Sequence, residues 1–135
     1  MAWITPKTNW VATDYFNYQD YERIRGNLLE IKSLADLLYL NVPDVQTMDS
    51  KTDYSALLYA SDINKFEQNL TMLNENTIDI EIGEEMEYFP NGTTIDYAEL
   101  NRIESGIKQI YETLSVEYAS LIKLAFTLGG AKFKV

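Results

Sequence analysis

Three stretches of this chain place apolar residues at helical spacing. From Tyr21 the apolar positions are Tyr21, Ile24, Leu28, Ile31, Ala35 and Leu38, alternating steps of three and four that put one stripe on one helix face. Asn17 precedes this run as an N-cap, with Asp20 in the first turn, and the helix is expected to end near Asn41, ahead of Val42-Pro43. The second stripe is Ile63, Phe66, Leu70 and Leu73, capped by Ser61 and ended by Asn74-Glu75-Asn76. The third and longest is Leu100, Ile103, Ile107, Ile110, Leu114, Tyr118, Leu121 and Ala125, opened by a D-x-x-E capping pair, Asp96 and Glu99, and closed by Gly129-Gly130.

The segments between the stripes have other patterns. Residues 1–16 hold Pro6 and scattered Asn, Thr and Asp, and read as an extended arm whose large groups, Trp3, Trp10, Tyr15 and Phe16, need a surface to pack on. That surface is either the arm's own domain or a neighbouring subunit. Residues 42–55 read as a loop. Ile78, Ile80 and Ile82 alternate, and Met86 and Tyr88 continue the alternation after Gly83, which predicts a β-hairpin at about 77–89. Pro90-Asn91-Gly92 reads as a turn, and residues 129–135 as a mobile or partner-bound tail. The expected fold is mainly α: a three-helix bundle over 17–128 with a small β-hairpin insertion and an extended N-terminal arm.

The three helix starts repeat one pattern. Asp20-Tyr21-Glu22-Arg23-Ile24-Arg25-Gly26-Asn27-Leu28, Asp62-Ile63-Asn64-Lys65-Phe66-Glu67-Gln68-Asn69-Leu70 and Glu99-Leu100-Asn101-Arg102-Ile103-Glu104-Ser105-Gly106-Ile107 all run acid, apolar, Asn or Glu, basic, apolar, two variable positions, Asn or Gly, apolar. Any capped amphipathic helix starts with an acid and an apolar stripe. The base at one register, Arg23, Lys65 and Arg102, exceeds that expectation, and duplication and convergence both account for it.

Composition narrows the chemistry. The 135 residues suit one domain, and 46% hydrophobic residues suit a packed core. With no Cys and no His, disulfides, thiolate sites and the commonest general base and metal ligand are excluded. A net charge of −10 makes nucleic acid and anionic membranes poor partners. Residues 1–15 lack a basic stretch followed by an apolar run, so no secretory leader is expected, and the sequons at Asn69 and Asn91 read as chance. The carboxylates Glu81, Glu84, Glu85 and Glu87 read as a solvated turn rather than a cation site or catalytic pair. No phosphate-binding glycine motif is present and no cofactor is implied. The ten tyrosines, with Tyr15, Tyr18 and Tyr21 clustered near the first helix, suit either a small core or an interface.

Trp3, Pro6-Lys7-Thr8-Asn9-Trp10, Asp14-Tyr15-Phe16-Asn17 and Asp20-Tyr21-x-Arg23-Ile24-x-x-Asn27-Leu28 resemble a pattern in phage and prophage structural proteins of Gram-positive bacteria, where a P-x-T-D/N-W arm precedes a D-x-N-R-I helix. Asp96-Tyr97-x-x-Leu100-Asn101-Arg102-Ile103-Glu104 resembles the recurrence of that helix motif in the same proteins. Glu22 departs from it, since Asn is more usual there. The resemblance covers about residues 1–32 and 90–112. It implies a virion component of tail or baseplate, made in the host cytoplasm, whose partners are other virion proteins and copies of itself, and it implies no catalytic residue. The expected partner-binding residues are Trp3, Pro6, Trp10, Tyr15, Phe16, Arg23 and Arg102. The competing class is a small acidic inhibitor that imitates DNA phosphates; dispersed carboxylates with Arg23, Arg25, Arg102 and Lys108 among them weigh against it.

Overall fold

The computed structural model describes residues 3–51, 60–89 and 95–133. Three helices pack on one another, α1 (Tyr18–Leu38), α2 (Ala60–Glu75) and α3 (Tyr97–Phe133), and no β-strand occurs among the described residues. The core is built from the three predicted stripes: Tyr21, Ile24, Leu28, Ile31 and Ala35 of α1, Ile63, Phe66, Leu70 and Leu73 of α2, and Leu100, Ile103, Ile107, Ile110 and Leu114 of α3 are all buried. Trp10 and Met48, from the extended segments ahead of α1 and α2, complete it.

The helix starts follow local chemistry. Asn17 Oδ1 accepts from the backbone N–H of Gln19 and Asp20 (2.9 and 3.1 Å), and Asp20 Oδ2 accepts from Asn17 N–H (3.0 Å), a reciprocal capping box. Asp96 Oδ1 accepts from Glu99 N–H at 2.9 Å at the start of α3. Ser61 is no cap: α2 already includes Ala60, which places Ser61 inside the first turn. The α1 helix stops at Leu38, and Asn41 then adopts a left-handed backbone (φ 64°), a conformation Asn tolerates better than most residues.

The helices run parallel. Arg23 of α1 meets Glu104 of α3, and further along Tyr39 meets Glu117, so both helices advance in the same direction. Arg102 of α3 meets Glu67 of α2, and Gly106 lies beside Leu70, in the same sense. Parallel neighbours cannot be joined by tight turns, so the chain must travel back along the bundle between successive helices. The described parts of these returns, residues 39–51 and 76–89, are extended straps lying on the helices.

The hairpin at 77–89 is therefore corrected to a single strap. Its alternation is real: Ile78, Ile80 and Ile82 are half-buried while Asp79 and Glu81 are exposed. Period two records one buried side of an extended segment, and here that side faces helices instead of a second strand. Gly129-Gly130 also fails to end α3, which continues to Phe133. Glycine costs about 1 kcal/mol relative to Ala inside a helix and does not by itself stop one. Turn 90–92 lies outside the described residues.

The close approach of strap and helix needs Gly106. A Cβ there would lie 3.3 Å from Ile82 Cβ and 3.4 Å from Leu70 Cδ2. Gly106→Leu should therefore push the strap off α3 and lower stability by about 1–3 kcal/mol, read as a fall in the urea midpoint.

Candidate functional site

The N-terminal arm lies in the groove between α1 and α3, held chiefly by side chains that imitate a neighbouring β-strand. Asn27 accepts from Ile4 N–H (3.0 Å) and donates to Ile4 C=O (2.7 Å). Asn101 treats Trp10 in the same way, at 2.8 and 3.0 Å. Between these clamps Glu104, with no exposed surface, takes four donors: Lys7 N–H (3.0 Å), the Trp10 indole N–H (2.5 Å), and a two-point fork from Arg23 (2.8 and 2.7 Å). Arg23 is also held by Asp20 at 2.9 Å. Burial alone would weaken the Arg23 cation, but the Glu104 and Asp20 carboxylates outweigh it and hold its pKa above the usual value.

The groove between α2 and α3 repeats this arrangement with different residues. Asn64 clamps Tyr88 through both backbone groups, at 2.7 and 2.8 Å. Glu67, 1% exposed, accepts from the Tyr88 hydroxyl (2.9 Å) and from Arg102, which is held in turn by Glu99 at 2.6 Å. Burial pushes the Glu67 carboxyl up, opposed by Arg102, Tyr88 and the Met86 backbone. Burial, with the Glu67 charge beside it, raises the Tyr88 hydroxyl as well. Gly83, at φ 92°, lets Arg102 cross the strap: a Cβ there would come within 2.5 Å of Arg102 Cδ.

The third groove, between α1 and α2, keeps the clamps and changes the charge. Asn69 pairs with both backbone groups of Gln46 (2.8 and 3.1 Å), and Glu22 accepts from Lys51 N–H (3.1 Å). Where the other grooves have Glu67 and Glu104, this one has Arg25, which donates to Met48 C=O at 2.7 Å. Tyr21, buried beneath the same strap, donates its hydroxyl to Asp49 C=O at 2.7 Å, and burial followed by the Asp62 charge pushes its pKa up to about 12. Straps and helices thus repeat as units. Ile4 stands sixteen positions before Asp20, Gln46 sixteen before Asp62, and Ile82 seventeen before Glu99. Each strap fills the groove between its own helix and another, giving the bundle an approximate internal three-fold arrangement.

The expected partner-binding residues fall mostly inside the chain. Trp10 is 3% exposed, Pro6 is buried, and Trp3 stacks on Tyr111 with ring centroids 3.7 Å apart. Phe16 packs on Trp10, whose ring also carries Lys7 Nζ 4.2 Å from its centroid. Arg23 and Arg102 are the paired cations of the two buried carboxylates. Of the seven, Tyr15 alone is open, at 91% exposure. The arm folds on its own domain because its aromatic groups and backbone find partners on α1 and α3. Asn69 is buried with its amide engaged, so that sequon cannot carry a glycan, while Asn91 lies outside the described residues. Glu81, Glu84, Glu85 and Glu87 are exposed, and no three His, Cys, Asp or Glu side chains converge in a metal-holding geometry among the described residues.

The residues that build these nodes, Glu67, Glu104, Asn27, Asn64, Asn69 and Asn101, were absent from the sequence-level candidates. Their signal lay in the repeat: Asn recurs at its third and eighth positions, and the sixth, read there as variable, is Glu in two of three copies.

Open apolar surface collects elsewhere, at the far end of the bundle. Leu37 and Leu40 near the end of α1 are 61% and 92% exposed, and α3 adds Val116 (67%), Leu121 (47%), Ile122 (52%), Leu124 (54%) and Phe126 (82%). Comparison with protein-family models, curated proteins and solved structures finds no match to this chain.

Two outcomes follow from the buried carboxylates. Glu104→Ala leaves Arg23 and the Trp10 indole without their acceptor and should cost about 3–5 kcal/mol in thermal or urea unfolding. For Glu67 the raised folded pKa fixes the sign: its contribution is full below the ordinary carboxyl value and is lost as pH rises through the folded one. The stability of the wild type relative to Glu67→Gln should therefore increase as pH falls from 7 towards 4, measured by urea unfolding of both proteins; a decrease would mean that pairing with Arg102 outweighs burial.

Proposed function

We propose that this chain is a structural subunit of a phage virion, of its tail or baseplate, working through protein–protein contacts rather than catalysis. The observation that carries the reading is where the family-like residues meet. Trp10, Arg23, Asn101 and Glu104 come from the two separate segments that resemble virion proteins, and they form one buried node. The resembling motif is thus a construction device, and α2 and α3 use a version of it again through Asn64, Glu67, Tyr88 and Arg102. Residues in such a role serve the packing of a subunit, not a substrate.

Other virion proteins and copies of the same chain are the partners on this reading. The charge of −10 supports it by disfavouring nucleic acid and anionic membrane surfaces. The protein is made in the host cytoplasm and resides in the particle.

The test is made on particles purified from an induced lysogen that carries the gene with a short epitope tag. Quantitative mass spectrometry should find several copies per particle, and immunogold labelling should place them on the tail or baseplate. Recovery only in the particle-free fraction, bound to a DNA-handling enzyme, would overturn the proposal in favour of an acidic inhibitor.

A further inference from the structure

The groove between α1 and α3 runs on past the arm that lies in it. Going back from Trp10, beside Asn101, to Trp3, stacked on Tyr111, the arm climbs towards the far end of both helices. Past that stack the groove widens into a recess of about 270 Å³. Leu34, Leu37 and Tyr111 give it an apolar floor, flanked by Glu30 and Ser33 on the α1 side and by Ser115 and Tyr118 on the α3 side. Its volume falls below the roughly 300 Å³ at which pockets for small organic ligands begin.

The approximate three-fold arrangement shows what such a place takes. Trp3, Val45 and Ile82 each stand seventeen positions before the acid that opens the next unit, Asp20, Asp62 and Glu99. Ahead of Val45 and Ile82 the other two straps continue up their grooves as residues 39–44 and 76–81, with Val42, Ile78 and Ile80 half-buried against the core. Twelve positions after the same acids stand Lys32, Asn74 and Tyr111. Lys32 donates to Val42 C=O at 3.2 Å, and Asn74 takes both backbone groups of Ile80. Tyr111 carries the Trp3 ring instead, and no described strap runs beyond it. There the side chains of Glu30, Ser33, Ser115 and Tyr118 make no hydrogen bond to any described residue. An apolar floor between unfilled donors and acceptors is what a strap needs on losing water from its backbone.

Two observations choose the occupant. Each described extended segment of this chain is seated in a groove of its own bundle, so a second copy has none of them to lend. The chain carries −10 and places Glu30 at the recess, so an acidic segment is repelled.

We propose that the open end of the α1/α3 groove receives an extended segment of another protein, with aliphatic residues at alternate positions and no net negative charge, seated as the chain's own straps are. The inference rests on the subunit reading above and adds the chemistry of one partner.

The probe is an end-blocked peptide of residues 76–82 carrying Asp79→Asn, which suits the left-handed backbone at that position (φ 50°), and Glu81→Lys. Titrated into the full chain, it should shift the tryptophan emission through Trp3 at the edge of the recess, with half-saturation below about 1 mM. Leu37→Arg together with Ser115→Arg should weaken binding at least tenfold while circular dichroism keeps the helix signal; should that pair disturb folding, Ser33→Arg alone, at an exposed position, should still weaken it. No saturation by about 1 mM overturns the proposal, and so does binding that survives these substitutions or that a peptide with Ile78→Ser, Ile80→Ser and Ile82→Ser matches. Binding that tightens tenfold on removal of Met1 and Ala2 assigns the recess to the chain's own terminus and overturns it too. So does a mass of two or more copies in light scattering that the same arginine substitutions reduce to one. The titration decides the groove and the particle experiment decides the virion role, so either fails without the other.

Discussion

The buried carboxylate of Glu104 holds three parts of the chain in one place. It sits on α3, takes a two-point fork from Arg23 on α1, and closes the hydrogen bonds of Lys7 N–H and the Trp10 indole on the arm. A carboxylate deprived of water is costly unless its lone pairs are filled, so this one is tolerable only when both helices and the arm are present together. Conversely, Arg23 and the indole need the acceptor. Specific alignment of α1 against α3 follows from that mutual dependence, because an apolar stripe by itself permits sliding by a turn. Glu67 does the same for α2 and α3 through Arg102 and Tyr88.

Parallel packing imposes the second constraint. Each strap must run back over the bundle with its backbone polar groups satisfied, and no strand lies next to it to do so. Asparagine supplies an acceptor and a donor on one short side chain, which is the pairing that a neighbouring strand would otherwise offer. Asn27, Asn101, Asn69 and Asn64 each take both backbone groups of one strap residue, and Asn74 does so for Ile80 at 3.0 and 2.7 Å. The straps are thereby fixed in register, and no buried side-chain polar atom is left without a partner among the described residues.

How much of this could be read from the sequence divides along the range of the interaction. The three helices, their buried stripes as far as Leu114 and the Asn17–Asp20 cap were legible because period and capping are local, whereas Leu121 and Ala125, expected in the third stripe, are exposed because no other helix runs beside that part of α3. The strap at 77–89 was legible as extended and one-sided, yet alternation alone does not say whether the buried side meets a strand or a helix groove. Parallel packing was not legible, since stripes carry no direction. The aromatic arm was recognised as needing a surface, and what decides that surface is Asn101 and Glu104, about ninety residues away. Gly129-Gly130 misled because glycine after an apolar run matches a helix end equally well when the helix simply continues.

The departures from the three-fold pattern carry the rest of the argument. Arg25 stands where Glu67 and Glu104 stand in the other units, and it reaches the Met48 carbonyl instead of a cation. Lys65, the base of the second unit, is consequently given no buried carboxylate to meet, and among the described residues it makes no ion pair. Two charged nodes therefore both involve α3, with α1 on one side and α2 on the other, and among the described residues none joins α1 to α2. The helix bound by both is also the one that projects past the bundle with uncovered apolar residues. The most firmly anchored helix is thus also the one that carries the longest run of uncovered apolar residues among those described.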